Sequence, residues 1–234
     1  IYPPEAFYDA CDTAGILVWQ DLMFANPVPA DTAFLRTVEE EVRQQVVRLR
    51  HHPCLALWCG NNELDVAWKH WGWNSTYGIH GEDSVHVAQQ QHHFFHSFLP
   101  DLIARYSDIA YTPTSALSNW GSTSGLRQGD LHYWGVWHAD STFASFAGNT
   151  GRFVSEYGFQ SYPDSTLLAG YMISEELRPG SPALMGRQFS YRTDRPIREA
   201  IHRELGFEPT SLGDLLLGSQ RSEERRVGKE CRSR

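Results

Sequence analysis

Short apolar runs, each closing on polar or aromatic residues and separated by helix-length stretches, constrain this chain more than any other feature. They read GILVWQD at 15–21, LALWCGNNE at 55–63, IAYTPTSAL at 109–117, LHYWGVWH at 131–138 and RFVSE at 152–156. Their apolar stretches are runs without the strict alternation of a strand that has one face in water, which predicts strands covered on both faces. The intervening segments carry the other period. Asp31 and Thr32 can cap a helix whose Leu35, Val38, Val42, Val46 and Leu49 recur every three to four residues, with His51-His52-Pro53 ending it. Pro3 and Pro4 open a shorter amphipathic segment with Phe7, Ala10 and Cys11 on one face, stopped by Gly15. A polar, Trp-rich loop after LALWC leads to a helix from about Val85 to Tyr106. Strands alternating with helices predict an α/β fold with a parallel sheet. Long polar loops after the strands fit a (β/α)8 TIM barrel, whose chemistry sits at the C-terminal strand ends. A closed barrel needs eight strands; the chain offers about five, so the expected architecture is an incomplete barrel.

The 234 residues are 41% hydrophobic, enough for the core of one or two domains. A net charge of −8 with no clustered basic face argues against a nucleic-acid partner. The longest apolar runs, such as ILVW at 16–19, are far too short to span a membrane. Cys11, Cys54, Cys59 and Cys231 show no CxxC spacing and read as free thiols. The last fourteen residues, RSEERRVGKECRSR, differ from the rest: they hold six of the 20 basic and three of the 28 acidic residues, and lack apolar periodicity. They resemble translated sequencing-adaptor DNA, so residues 1–220 are taken as a partial catalytic barrel and 221–234 as a non-native tail. Without the tail the net charge becomes −11, and the natural chain is expected to continue beyond Gln220.

The strand ends gather the chemistry. GILVWQD delivers Trp19 and Asp21, LALWCGNNE delivers Asn62 and Glu63, LHYWGVWH delivers Trp137 and His138, and RFVSE delivers Glu156. If the strands are parallel, these groups ring one mouth, and two glutamates 93 positions apart can face each other across it. Glycoside hydrolysis uses such a pair: one carboxylic acid protonates the leaving oxygen while the other carboxylate attacks or activates water.

HHPCLALWCGNNE together with RFVSEYGFQSYP resembles glycoside hydrolase family 2, in its β-mannosidase branch, as do YPPEAFYDACDTAGILVWQDLMFAN and GDLHYWGVWH. The resemblance runs from Ile1 to about Gln220. It implies a retaining hydrolase that removes terminal β-D-mannose from oligosaccharides through a covalent glycosyl-enzyme intermediate, with no metal or organic cofactor. It further implies that Glu63 is the acid/base, Glu156 the nucleophile, Asn62 the holder of the sugar 2-hydroxyl and Trp71 a wall of the mannose pocket. His138 lies where some relatives place a tyrosine near the nucleophile; Trp137, Trp19 and Asp21 are further candidates to touch or support substrate. Retention implies carboxyl groups roughly 5–5.5 Å apart. The family's β-sandwich domains and its first two and last barrel strands are not in the sequence, so the chain alone is not expected to be a competent enzyme. Two alternatives stay open: another specificity of the family (β-galactosidase, β-glucuronidase or endo-β-mannosidase) and an inactive sugar-binding fragment. His92, His93 and His96 invite a metal reading, but no carboxylate or cysteine is spaced along the sequence to complete a site, and they are read as part of a helix.

Overall fold

The computed structural model describes residues 1–29, 31–123 and 126–230, with side chains as far as 222. The chain divides into two compact units, one of Ile1–His132 with Gly151–Ser155 and one of Tyr133–Thr150 with Glu156–Arg234.

The first unit opens with α1 (Glu5–Ala14), which stops at Gly15 because the chain turns left-handed there (φ 66°), and the Gly15 N–H returns to carbonyls of the last turn. The strand β1 (Val18–Asp21) follows. The helix α2 (Thr32–Leu49) is capped as expected: the Asp31 carboxylate accepts from the N–H groups of Ala33 and Phe34. Its buried stripe is Val38, Val42, Val46 and Leu49, with Leu35 half-buried at the margin. The strand β2 (Leu55–Cys59) then pairs in parallel with β1, Trp19 opposite Leu57.

The stretch expected to be a loop folds instead as α3 (Leu64–His70) and α4 (Trp73–Thr76). Leu64, Val66 and Ala67 are buried, and that is enough apolar surface to hold two turns of helix against the core. The long helix begins earlier than the apolar pattern suggested, as α5 (Gly81–His93), where Glu82 and Asp83 sit favourably in the first turn. A single π turn, Phe94–Phe98, joins it to α6 (Leu99–Ala104). Pro100 has no N–H for a carbonyl one turn back, and a widened turn accommodates that missing bond.

The strand β3 (Ala110–Thr112) pairs in parallel with β2 and completes the order β1-β2-β3. It is shorter than IAYTPTSAL because Pro113 cannot donate to the ladder. Two isolated parallel bridges, Asn62 with Ser115 and Ser118 with Leu131, carry the pairing onward. The core of this unit joins Tyr8, Trp58, Phe95, Leu99 and Leu102 to the buried face of α2.

The strands β4 (Leu131–Tyr133) and β5 (Val154–Tyr157) form a separate two-stranded sheet, and the division between the units falls within both strands. LHYWGVWH is therefore a strand only as far as Tyr133. The remainder is a single turn, α7 (Gly135–His138), in which a side chain on Gly135 would meet the Tyr133 hydroxyl at 2.6 Å. The second unit continues through α8 (Ser165–Ala169), α9 (Pro182–Met185), α10 (Arg195–Leu205) and α11 (Leu212–Glu230). Ile197, Ala200 and Ile201 of α10 are fully buried, and Gly218 of α11 lies against the Ile201 side chain, where a methyl would crowd it. The helix α11 runs across Gln220, the point at which the sequence changes character. Among the described residues no helix is long and apolar enough to cross a membrane. Cys11, Cys54 and Cys59 are buried free thiols, and Cys231 lies outside the described residues.

Candidate active site

The turn after β2 is built residue by residue from GNNE. Gly60 has backbone and side chain on top of it: a Cβ there would overlap the Tyr111 hydroxyl and the Pro113 carbonyl. Its glycine is demanded by that close approach rather than by an unusual turn angle. Asn61, fully buried, is the pin. Its amide donates to the Pro113 carbonyl at 3.0 Å, and its oxygen accepts from the Leu64 N–H at 3.0 Å and the Thr114 hydroxyl at 2.7 Å. Asn62 is bridged to Ser115, and its N–H donates to the Phe24 carbonyl at 2.9 Å. Glu63 then takes a left-handed backbone, φ 63°, a conformation that a non-glycine residue adopts only when its surroundings force it. Its N–H donates to the Ser115 carbonyl at 2.6 Å.

The carboxyl of Glu63 is held by a residue that the sequence did not single out. His132 Nδ1 lies 2.7 Å from Glu63 Oε1, and the imidazole is 1% exposed. Its other nitrogen lies 2.9 Å from Ser115 Oγ. The buried Asp130 anchors this group: Oδ2 accepts from Ser115 Oγ at 2.6 Å and from Ser155 Oγ at 2.5 Å, and Oδ1 from the Leu117 N–H at 2.8 Å. Asp130 and His132 are two apart around β4, so they share one face, and the signal was present in GDLHYWGVWH.

The other candidates of the first unit are half-buried. The Trp19 indole N–H donates to Asp21 Oδ1 at 2.8 Å, and the Trp19 ring stacks on Phe153 at 6.0 Å. Trp71 donates to Asn119 Oδ1 at 3.0 Å. Cys59, at the end of β2, is no nucleophile: burial pushes its thiol far up, and Sγ faces the Asn61 carbonyl.

In the second unit, Glu156 Oε2 accepts from the Trp134 indole N–H at 3.3 Å. Trp137 is only 6% exposed and meets Phe159 edge to face, which makes it a core residue with little surface for a sugar. His138 is exposed, hydrogen-bonded through Nδ1 to the Tyr191 hydroxyl at 2.9 Å and stacked on that ring.

Two groupings of the first unit have donor sets for a metal, Glu5-His51-His52 and Asp12-His52-Cys54. Both ring nitrogens of His52 already face carboxylates, Asp12 at 2.7 Å and Glu5 at 3.0 Å. Burial pushes the Cys54 thiol up to about 11, and Asp12 also accepts from the Cys54 N–H at 2.7 Å, so the described contacts of the cluster are hydrogen bonds. His96, for which the sequence offered no carboxylate, gains one from α3, Asp65 Oδ2 at 3.1 Å. A cleft of about 430 Å³ opens between α3 and α5, lined by Leu64, Trp68, Val85, Ala88 and His92. None of the candidate residues lines it.

No protein-family model matches the chain. Among curated proteins it is 37% identical over 180 residues to Beta-mannosidase B of Thermothelomyces thermophilus, covering 74% of this chain and 21% of that protein. It is 34% identical over 182 residues to Beta-mannosidase B of Aspergillus fumigatus, covering 75% and 21%. Among solved structures it matches the Beta-D-Mannosidase of Dictyoglomus thermophilum with a TM-score of 0.81 and 31% identity, over 97% of this chain and 27% of that one. The chain thus spans about a fifth of the length of the curated relatives it matches, and it shares an α/β fold with a solved one.

Proposed function

We propose that this chain, a homologue of one stretch of the β-mannosidases, carries the catalytic carboxylates of a retaining glycoside hydrolase that removes terminal β-D-mannose from oligosaccharides. In this reading residues 1–220 belong to a (β/α)8 barrel of which β1 to β5 are five strands, 221–234 lie outside it, and β-sandwich domains accompany it in the whole protein. The observation that carries the reading is the Glu63 turn. Gly60 and Asn61 lock a tight exit from β2, and Glu63 is held left-handed with its carboxyl fixed by the buried His132. A left-handed backbone on a carboxylate that stands at a parallel strand end supports a placement for chemistry.

The reaction then runs in two displacements. Glu156 attacks the anomeric carbon as the bond to the leaving oxygen breaks, and Glu63 gives that oxygen its proton. Water next attacks the same carbon, Glu63 takes the water proton, and the Glu156 ester bond breaks to release mannose. Asn62 holds the sugar 2-hydroxyl, a contact that strengthens as positive charge develops on the ring. Trp134 orients Glu156 through its indole N–H. Trp71, Trp19, Asp21 and His138 border the sugar, while Trp137 packs in the core of its own unit against Phe159. The chemistry requires neither a metal nor an organic cofactor.

Incubation of the whole protein with 2-deoxy-2-fluoro-β-mannosyl fluoride tests the assignment. The 2-fluorine slows both steps and the fluoride leaves readily, so a glycosyl ester accumulates. Peptide mass mapping is expected to find it on Glu156, with the corresponding galactosyl and glucuronyl reagents reacting far more slowly. A label on any other carboxylate, or none in a protein that cleaves β-mannosides, would refute it.

A further inference from the structure

The hydrogen bonds around His132 define where its protons sit. Asp130, as a carboxylate, only accepts, and it receives the hydroxyl protons of both Ser115 and Ser155. With its single proton committed to Asp130, Ser115 Oγ can only accept from the imidazole, 2.9 Å away. His132 therefore carries a proton on Nε2 and turns Nδ1 toward Glu63 Oε1, at 2.7 Å. Ser115, Asp130 and His132 are each less than a tenth exposed, so water does not compete for these bonds. All of these residues, with Glu63, belong to the first unit.

We propose that His132, its ring held by Ser115 and Asp130, is the positioning residue of Glu63. The inference rests on the reading of Glu63 as acid/base and extends it. His132 then stays an imidazolium throughout the cycle, its Nε2–H on Ser115 Oγ and its Nδ1–H donated to Glu63 Oε1, while Glu63 alternates between the neutral acid and the carboxylate. Glu63 Oε2 is left as the working atom. The proton on Oε2 passes to the leaving oxygen in the first displacement, and a proton from water replaces it in the second. His132 touches no sugar; it decides which oxygen of Glu63 works and in what direction it points.

The test separates acid catalysis from general damage, in the whole protein, with two β-mannosides. β-1,4-Mannobiose needs a proton on its leaving oxygen; 2,4-dinitrophenyl β-mannoside does not. His132→Gln keeps a group near Ser115 but none at the place of Nδ1. It is expected to lower kcat/KM on mannobiose by about 100-fold, the scale of general acid catalysis, and on the dinitrophenyl substrate by less than about threefold. On the latter, kcat and KM are expected to fall together, because hydrolysis of the glycosyl ester still needs Glu63 as base. His132→Asn keeps an N–H at the Nδ1 position and is expected to recover part of the mannobiose loss. Ser115→Ala, a small change should the histidine variants fold poorly, is expected to show a weaker split of the same sign. Equal losses on both substrates, or no loss on either, overturn the proposal. If Glu63→Gln itself shows equal losses, the acid/base reading of Glu63 fails first and the role of His132 falls with it, a pattern seen without any change at His132.

Discussion

Gly60, Asn61 and Glu63 occupy neighbouring positions in the sequence and do three different things. The run LALWCGNNE marks the place, because an apolar strand that ends on two amides and a carboxylate collects polar groups at one exit. What the run does not reveal is the division of labour. Gly60 reads as a hinge, yet its constraint comes from Tyr111 and Pro113, some fifty residues away in sequence. Asn61 and Asn62 read alike, but only Asn61 is sealed in the core as a cap for α3. His132 was not legible as a partner of Glu63 because the pair is 69 positions apart: the Asp130–His132 spacing in GDLHYWGVWH marks a shared strand face but names no partner across the fold. Gly60→Ala tests this scale. A methyl group forced against a carbonyl and a hydroxyl of β3 and its exit must displace backbone, at a cost of about 3 kcal/mol, read as a lowered midpoint in urea unfolding. A loss below about 0.5 kcal/mol would mean the strand exit yields easily, and that the Glu63 turn is not locked from beneath.

At the scale of elements, α2 and β2 are where pattern and structure agree, because a capped amphipathic helix and a covered strand are each specified by their own residues. The misreadings fall where tertiary contacts override the local pattern. The expected loop of 64–76 becomes two short helices once Leu64, Val66 and Ala67 find a core, and LHYWGVWH stops being a strand where Gly135 meets Tyr133. A clasp that sequence gives no hint of ties α1 to the entrance of β2. Buried His52 bonds Asp12 and Glu5, Asp12 also accepts from the Cys54 N–H, and Glu5 pairs with Arg48 of α2. Asp12, and then Glu5, hold the His52 pKa above its ordinary value. Bonds from Cys54 and then His52 draw Asp12 down to about 2. The histidine contribution to stability is therefore complete below about pH 6.5 and is lost as pH rises through the elevated folded value. The aspartate contribution is present above about pH 4 and is lost as pH falls through about 2. Melting temperature is expected to peak between these limits and decline on the alkaline side, with His52→Gln flattening that decline. A wild-type melting temperature unchanged from about pH 6 to about pH 9 would show that the clasp contributes nothing to stability.

For the whole molecule, the alternation of strands and helices made the α/β class legible and each of the five apolar runs became one of the described strands, while their grouping into sheets and their closure were beyond any local signal. Registry across a sheet depends on segments that meet only in the fold, and the described strands form a three-stranded and a two-stranded sheet. The proposed function adds a demand that spans both units, since Glu63 belongs to one and Glu156 to the other. A retaining mechanism works with carboxyl groups about 5–5.5 Å apart, whereas about 6.5–9.5 Å leaves room for a water between base and sugar and gives inversion. The stereochemistry of the first turnover thus measures the separation during catalysis. Proton NMR of the whole protein acting on an aryl β-mannoside is expected to show β-mannose first, with the α-anomer growing in only as the free sugar mutarotates. Early α-mannose would mean that Glu156 activates water rather than attacking carbon. In that case Glu63 would keep its place as acid, and the covalent intermediate would have to be abandoned.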